Sequence, residues 1–310
     1  MKALIIGGSG SLSGRLAALA KDKYEVWTLT RGNRPLGDGI KPLLADRNDE
    51  EAFRMAIFNA DVKWDVVFDC ICMNENHARQ DLDVLAQVSD RLVVVSTDSV
   101  YDPSRKMTPQ KEDGYFLEDD DAHSQSYAVN KRKMERVFLD YFEKQKEGSA
   151  VPSLSVTIFR PGHIYGPGFL IGCYPEHSRQ ANLPELIQSG QPLSLVAGGI
   201  YLTQPTFVDD LANTMLDCMD KEKSFNEIFC IGGPEAVENR IYYEILGELM
   251  GKPVTIREIP LTGYVKNHPE YAAHLCHRIY DLSKLKAANV MLPSTPLKQG
   301  LKKHLESLLK

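Results

Sequence analysis

The 310-residue chain has no apolar run near the roughly 18 residues needed to span a bilayer, which excludes a helical membrane protein. Met1 leads straight into a strand pattern, with no charged n-region or apolar h-region. No signal peptide is therefore expected, and the expected location is cytoplasmic. Basic residues are not in excess: 36 Lys and Arg face 42 Asp and Glu, for a net charge of −6. That balance argues against nucleic acid or an anionic membrane as a partner. Cysteine is sparse and scattered, at Cys70, Cys72, Cys173, Cys218, Cys230 and Cys276. The Cys70-Ile71-Cys72 pair has no matching second pair, so no metal site is expected. The thiols read as small hydrophobes of a reducing compartment. Repeats and low-complexity segments are absent. What is present is ordinary for a soluble globular protein: 43% hydrophobic and 25% charged residues. The length suits one large α/β unit or two unequal lobes.

Apolar runs alternate with helix-like stretches. Strand patterns occupy 3–6, 25–29, a run from 37 to about 46, 64–70, 91–96 and 154–159. Helical spacing occupies 12–21, 49–59, 77–88 and 126–145. Continuous apolar strands between helices predict a doubly wound parallel sheet covered on both faces, a Rossmann-type α/β fold. The acidic stretch 118–121 reads as a solvated loop. Beyond residue 165 the alternation weakens, and Pro and Gly become dense as far as Ile200. A strand is expected at 205–208, a helix at 210–220 and a strand at 227–231. An amphipathic helix closes the chain at 296–309. The predicted division is a dinucleotide-binding domain from 1–165 and 201–231, and a smaller substrate lobe from 166–200 and 232–310. Ligands of such sheets bind outside the carboxyl ends of the strands.

Two short motifs carry the chemistry. Gly7, Gly8, Ser9 and Gly10 follow the first strand and precede the first helix, the context a phosphate-cradling loop requires. Glycine lets the backbone approach a pyrophosphate, and the helix N-terminus offers free N–H groups. About 120 residues later, Tyr127 and Lys131 stand at i and i+4 on one helical face. A cation beside a phenol favours the phenolate. Such a phenol can exchange a proton with a substrate hydroxyl while hydride moves to or from a nicotinamide. The second strand ends Thr30-Arg31-Gly32, without the carboxylate that usually meets the ribose hydroxyls of NAD. Arg31, with Arg34 nearby, is placed to pair with a 2′-phosphate, which leans the cofactor reading from NAD toward NADP. A solvent-facing Arg31 is the other reading. Asp46 either meets the adenine or caps the next helix.

The chain resembles the extended short-chain dehydrogenase/reductase superfamily, specifically the NAD-dependent epimerase/dehydratase family. The motifs are the glycine loop, Ser96-Thr97-Asp98-Ser99-Val100-Tyr101, Tyr127-Ala128-Val129-Asn130-Lys131, Arg160-Pro161-Gly162-His163-Ile164-Tyr165-Gly166-Pro167 and Phe207-Val208-Asp209-Asp210-Leu211-Ala212. The resemblance implies that Thr97 bonds the substrate hydroxyl and that Tyr127 is the acid/base. It implies that Lys131 grips the nicotinamide ribose and lowers the tyrosine pKa. Leu12 and Pro161 join the implied cofactor contacts. A homodimer through the helix of Tyr127 is also implied.

Four departures from the family pattern bear on the substrate. Ser13 takes the place of the third loop glycine. Ser99 stands where nucleotide-sugar 4,6-dehydratases carry the glutamate of a Thr-Asp-Glu triplet, which argues against that reaction. His163 replaces a frequent asparagine and is either a second acid/base or a neutral group shaping the pocket. The Arg-Asp pair expected before Val208 is missing from Tyr201-Leu202-Thr203-Gln204-Pro205-Thr206, leaving Arg179 as the one obvious cation for a diphosphate. Asp98, Ser99, His163, Arg179 and Gln204 are the expected substrate contacts. Asp209 and Asp210 read as helix caps, and His268, His274 and His277 as surface or pocket-lining groups. The expected function is an NAD(P)-dependent sugar or polyol epimerase or oxidoreductase. The competing reading is a non-catalytic NAD(P)-sensing or RNA-associated protein of the family's atypical branch.

Overall fold

The computed structural model describes residues 1–118 and 126–308. Most of the acidic stretch expected to be a loop lies outside those residues. Seven strands form one parallel sheet: β1 (Lys2–Ile6), β2 (Glu25–Thr30), β3 (Lys41–Leu44), β4 (Val66–Asp69), β5 (Arg91–Val95), β6 (Ser155–Pro161) and β7 (Glu227–Ile231). The spatial order is β7-β6-β5-β4-β1-β2-β3. The order reverses beside β1, the switch point at which dinucleotides bind in open α/β sheets.

Side chains alternate across the sheet, so each strand feeds two cores. Ala3 and Ile5 pack with helix α1 (Ser11–Ala20) and helix α5 (Val208–Asp217). Leu4 and Ile6 pack on the other face with α2 (Glu50–Asn59), α3 (Glu75–Val84) and α4 (Ser126–Lys146). Apart from the exposed edge strand β3, the strands are buried on both faces, which is why they read as continuous apolar runs. A third core holds Leu183, Leu193, Leu195, Tyr242, Leu246 and Leu301, joining α6 (Asn239–Leu249) to α7 (Leu297–Leu308). The chain does not stay in that region once it arrives: Leu285 and Val290 return to the first core.

Several details differ from expectation. Residues 206–207 make a two-residue strand paired with 164–165, not a member of the main sheet. The cap of α2 is Asp49, whose carboxylate accepts from Ala52 N at 2.9 Å. Asp46 instead accepts from Asn48 N (3.0 Å) and Asn48 Nδ2 (2.8 Å) in a local turn. Asp209 and Asp210 do not cap α5 with their side chains, because α5 starts earlier, at Val208. Asp209 forms a two-pronged ion pair with Arg15 of α1, at 2.7 and 2.6 Å. Asp210 holds the turn at Ser294 and Thr295. Among the described residues, no helix is long and apolar enough to cross a membrane.

Candidate active site

The loop between β1 and α1 takes its shape from its glycines. Gly7 has φ +114°, a conformation L side chains rarely adopt, and a Cβ at Gly8 would collide with Thr28. Gly10 is different: its φ is −82°, and it stands at the N-cap of α1. Ser13 is buried, and its Oγ accepts from Gly10 N at 2.9 Å. The serine therefore stitches the loop to the helix rather than loosening it. A groove starts over this loop. Its outer stretch is lined by Gly7, Ser9, Arg31, Arg34, Asp46 and Asn48. Its inner stretch includes Leu12, Thr97, Tyr127, Lys131, Pro161 and His163, and the two meet at Gly10, Ile71 and Met73. Glycine-loop N–H groups in the middle, a polar pocket at one end and Tyr127 with Lys131 at the other fit an extended dinucleotide.

Helix α4 is fixed from below. Residues at i+4 steps from Tyr127 are Lys131 and Glu135. Glu135 is buried and pairs with Arg160 through two bonds, 2.9 and 2.8 Å. Ser96 Oγ adds a third bond to Glu135 at 2.5 Å. Arg160 in turn donates to the Tyr101 hydroxyl at 2.7 Å. The bonds that Glu135 accepts are charge-assisted, and they tie this face of the helix to β6 and the end of β5. Lys131, one turn earlier, is also buried. Its Nζ donates to the carbonyls of Cys72 (2.6 Å) and Val95 (2.7 Å), at the ends of β4 and β5. Burial lowers its pKa, and nearby Cys72 and Asp69 counter that.

Tyr127 brings its ring to the cleft, 45% exposed, with the Lys131 ammonium 6.0 Å from the ring centre. Its hydroxyl lies in hydrogen-bonding reach of Thr97. Burial of that end pushes the phenol pKa up, against the lowering effect of Thr97 and Arg179. The expectation that Lys131 tips Tyr127 toward phenolate needs correction for this structure. The ammonium is committed to two carbonyl oxygens, and desolvation of the phenol dominates. Thr97 is itself held in place, accepting from Ser99 N at 3.2 Å.

The substrate-contact expectations divide. Asp98, Ser99, His163 and Arg179 all line the inner cleft. Asp98, however, is saturated. It takes both oxygens to Arg278 Nη1 (3.0 Å each), and Oδ2 also meets Lys106 Nζ (2.6 Å) and the Tyr280 hydroxyl (2.7 Å). Burial alone would raise its pKa, but Arg278 and Lys106 outweigh burial and hold it well below the usual carboxylate range. Asp98 thus ties the end of β5 to Arg278 and Tyr280 and stays ionised. His163 is pushed down to about 3, first by burial and then by Arg179 and Arg278. It is a neutral imidazole at physiological pH, so the acid/base reading of His163 is corrected to a pocket-shaping one. Arg179 is exposed at the mouth, with its guanidinium 4.9 Å from the Phe169 ring centre. Gln204 is not a cleft residue. Its Nε2 donates to Gly233 O and its Oε1 accepts from Tyr280 N, both at 2.7 Å, so no polar atom is left over for substrate.

Sequence reasoning missed Tyr174, Asn239 and Arg278, which complete the cleft wall together with His274, one of the histidines read as surface or pocket-lining groups. Tyr174 stacks on His274, with ring centres 4.0 Å apart. Arg278 brings a cation to this wall, and it is paired with Asp98. No motif marked Tyr174, Asn239 or Arg278, because segments far apart in the chain bring them to the cleft.

No curated protein matches this chain. Solved structures match its fold along its whole length. The UDP-glucose 4-epimerase of Thermotoga maritima, solved with UDP-glucose, is 20% identical with a TM-score of 0.75, covering 100% of this chain and 99% of that one. The UDP-glucuronic acid 4-epimerase of Bacillus cereus, solved with UDP-glucuronic acid and NAD, is 18% identical with a TM-score of 0.74, over the same shares. The epimerase Mth375 of Methanothermobacter thermautotrophicus is 17% identical with a TM-score of 0.76, covering 99% of this chain and 91% of that one. The sequence model of the NAD dependent epimerase/dehydratase family matches residues 3–232, a span holding the glycine loop, Thr97, Tyr127 and Lys131, and the chain belongs to that family.

Proposed function

We propose that the protein is an NAD(P)-dependent sugar or polyol epimerase or oxidoreductase, with Tyr127 as its acid/base. The observation that carries this is the placement of the Tyr127 hydroxyl beside Thr97, at the end of a dinucleotide-shaped groove. When bound, the nicotinamide supplies the hydride acceptor or donor. The chain's own part is proton handling and positioning. Thr97 orients the reacting oxygen, and Tyr127 takes the hydroxyl proton on oxidation or returns one to the carbonyl on reduction. Lys131 is read as the ribose-gripping residue: two of its three N–H groups hold carbonyls, which leaves one for the cofactor. Nucleotide sugars bound by the T. maritima and B. cereus proteins support a carbohydrate substrate. A screen of sugars, polyols and UDP-sugars at 340 nm with NAD+ and NADP+ tests the reading. Reduction of cofactor by at least one compound, or its conversion to an epimer without net reduction, is the expected result. Cofactor binding with no conversion of any compound would favour the non-catalytic reading.

The cofactor proposal leans to NADP. Arg31 and Arg34 both line the outer groove, and no carboxylate ends β2. Asp46 faces Arg31, which contributes to holding that carboxylate's pKa down behind the larger effect of the Asn48 bonds. A charge-assisted bond to a 2′-phosphate predicts that Arg31→Ala weakens NADP binding about tenfold or more and leaves NAD binding within twofold. Equal changes for both cofactors, by fluorescence titration, would return Arg31 to the ordinary surface.

A further inference from the structure

The cleft that Tyr127 lines holds two residues with a buried polar atom that has no hydrogen-bond partner among the described residues. Asn239 opens α6 and is only 7% exposed. Its Nδ2 donates to Tyr174 O at 2.5 Å, and its backbone N donates to Tyr201 O at 2.9 Å. A carbonyl oxygen only accepts, so the amide orientation is determined and Oδ1 faces the other way. Asn239 lines the cleft, and that oxygen is buried within the wall with no hydrogen-bond partner among the described residues. Arg278 lines the same wall. Its Nη1 is spent on Asp98, and its Nη2 on Ala273 O (3.2 Å) and His274 Nδ1 (3.1 Å). Its Nε is buried and has no hydrogen-bond partner among the described residues. A buried polar atom without a partner costs stability, so native proteins keep few of them, and those in a binding cleft await a ligand group.

We propose that Asn239 and Arg278 are specificity-determining residues that read hydroxyl groups of the substrate away from the reacting carbon. Asn239 Oδ1 accepts from a hydroxyl, and Arg278 Nε donates to a hydroxyl or ring oxygen. The substrate class is therefore polyhydroxylated, with at least one free hydroxyl that reaches the start of α6 while another sits at Thr97 and Tyr127. One acceptor and one donor match the dual character of sugar hydroxyls. The arrangement rejects a deoxygenated analogue, because that analogue leaves the buried amide oxygen unpaired. This deepens the proposed redox reading and rests on it for the identity of the reacting end.

The test uses full-length protein saturated with NADP+ and titrated calorimetrically with UDP-glucose, UDP-glucuronic acid, free aldoses and alditols. Each compound that binds is then compared with its monodeoxy analogues. In the parent, one deoxy position is expected to weaken binding about fivefold or more. Asn239→Ala should bind the parent compound equally weakly, and that same deoxygenation should then make no further difference. For a compound that turns over, the loss in Asn239→Ala should fall on KM rather than kcat. Asn239→Ser serves as a second variant if the alanine protein does not fold, and NADP+ affinity checks that the groove is intact. Parental affinity in a folded variant, losses that simply add, or a parent that binds none of these compounds would overturn the proposal. Turnover that survives Tyr127→Phe while the Asn239 coupling persists would fell the acid/base reading and leave this subsite standing.

Discussion

At the scale of single residues, the site is a contest between burial and charge. Tyr127 keeps its proton because its hydroxyl end is desolvated. A phenol with a raised pKa is a proton donor at neutral pH and becomes a base only as pH climbs. The sign follows directly. Carbonyl reduction needs the protonated form and should hold its rate from neutral pH into the alkaline range. Alcohol oxidation needs the phenolate and should rise with pH across that range. A pH profile of kcat/KM in both directions checks this, and an oxidation rate that is flat from pH 7 to 10 would contradict it. His163 will not supply a limb near pH 6.5, since burial, Arg179 and Arg278 hold its pKa near about 3.

At the scale of elements, the β1–α1 turn and helix α4 carry the site, and both were legible in the sequence. The turn is legible because a glycine backbone has a local cause: Gly7 needs a positive φ, and Gly8 must clear Thr28. The helix is legible because Tyr127 and Lys131 stand four residues apart, the spacing that puts them on one face; Glu135, one turn on, shows its part only in the structure. Gly10 offers a direct probe of the turn. Its φ suits any residue, and a Cβ there meets only Ser13 Oγ, at 3.0 Å. Gly10→Glu should therefore fold, with a melting temperature within a few degrees of the parent. Its carboxylate would occupy the anion space at the helix N-terminus and abolish cofactor binding. Fluorescence titration with unchanged affinity would show that this loop does not hold the pyrophosphate. The roles of Gln204 and Asp98 were not legible. Both are polar residues at family positions, and only the packing of Tyr280 and Arg278 against them shows that their polar atoms are already committed.

At the scale of the molecule, Asp98 is where the two ends of the chain meet. It follows Thr97 directly, and it receives Arg278 and Tyr280 from 180 and 182 residues away. The cleft wall that carries Asn239 and His274 is thereby tied to the neighbour of Thr97, the residue proposed to orient substrate. Such a long-range junction has no periodicity or local motif, which is why the far wall of the cleft escaped sequence reasoning. Asp98→Asn would leave Arg278 and Lys106 without a counter-charge, a loss of about 3–5 kcal/mol in denaturant unfolding. The pH dependence has a definite sign. The folded-state pKa of Asp98 lies below its unfolded value of about 3.9, so its contribution is full above that value and is lost as pH falls further. The parent should therefore lose stability more steeply below about pH 4 than Asp98→Asn does. Equal acid sensitivity would mean that Asp98 does not tie the lobes energetically.

The central claim is that Tyr127 carries the proton while hydride moves. It is tested most directly by the turnover of Tyr127→Phe on a substrate identified in the 340 nm screen, with cofactor affinity measured alongside. The substitution removes one oxygen from a ring at the cleft rim, so folding and cofactor binding should persist. Turnover should fall by about 10²–10⁴. A variant that binds cofactor normally and turns over within threefold of the parent would contradict the account.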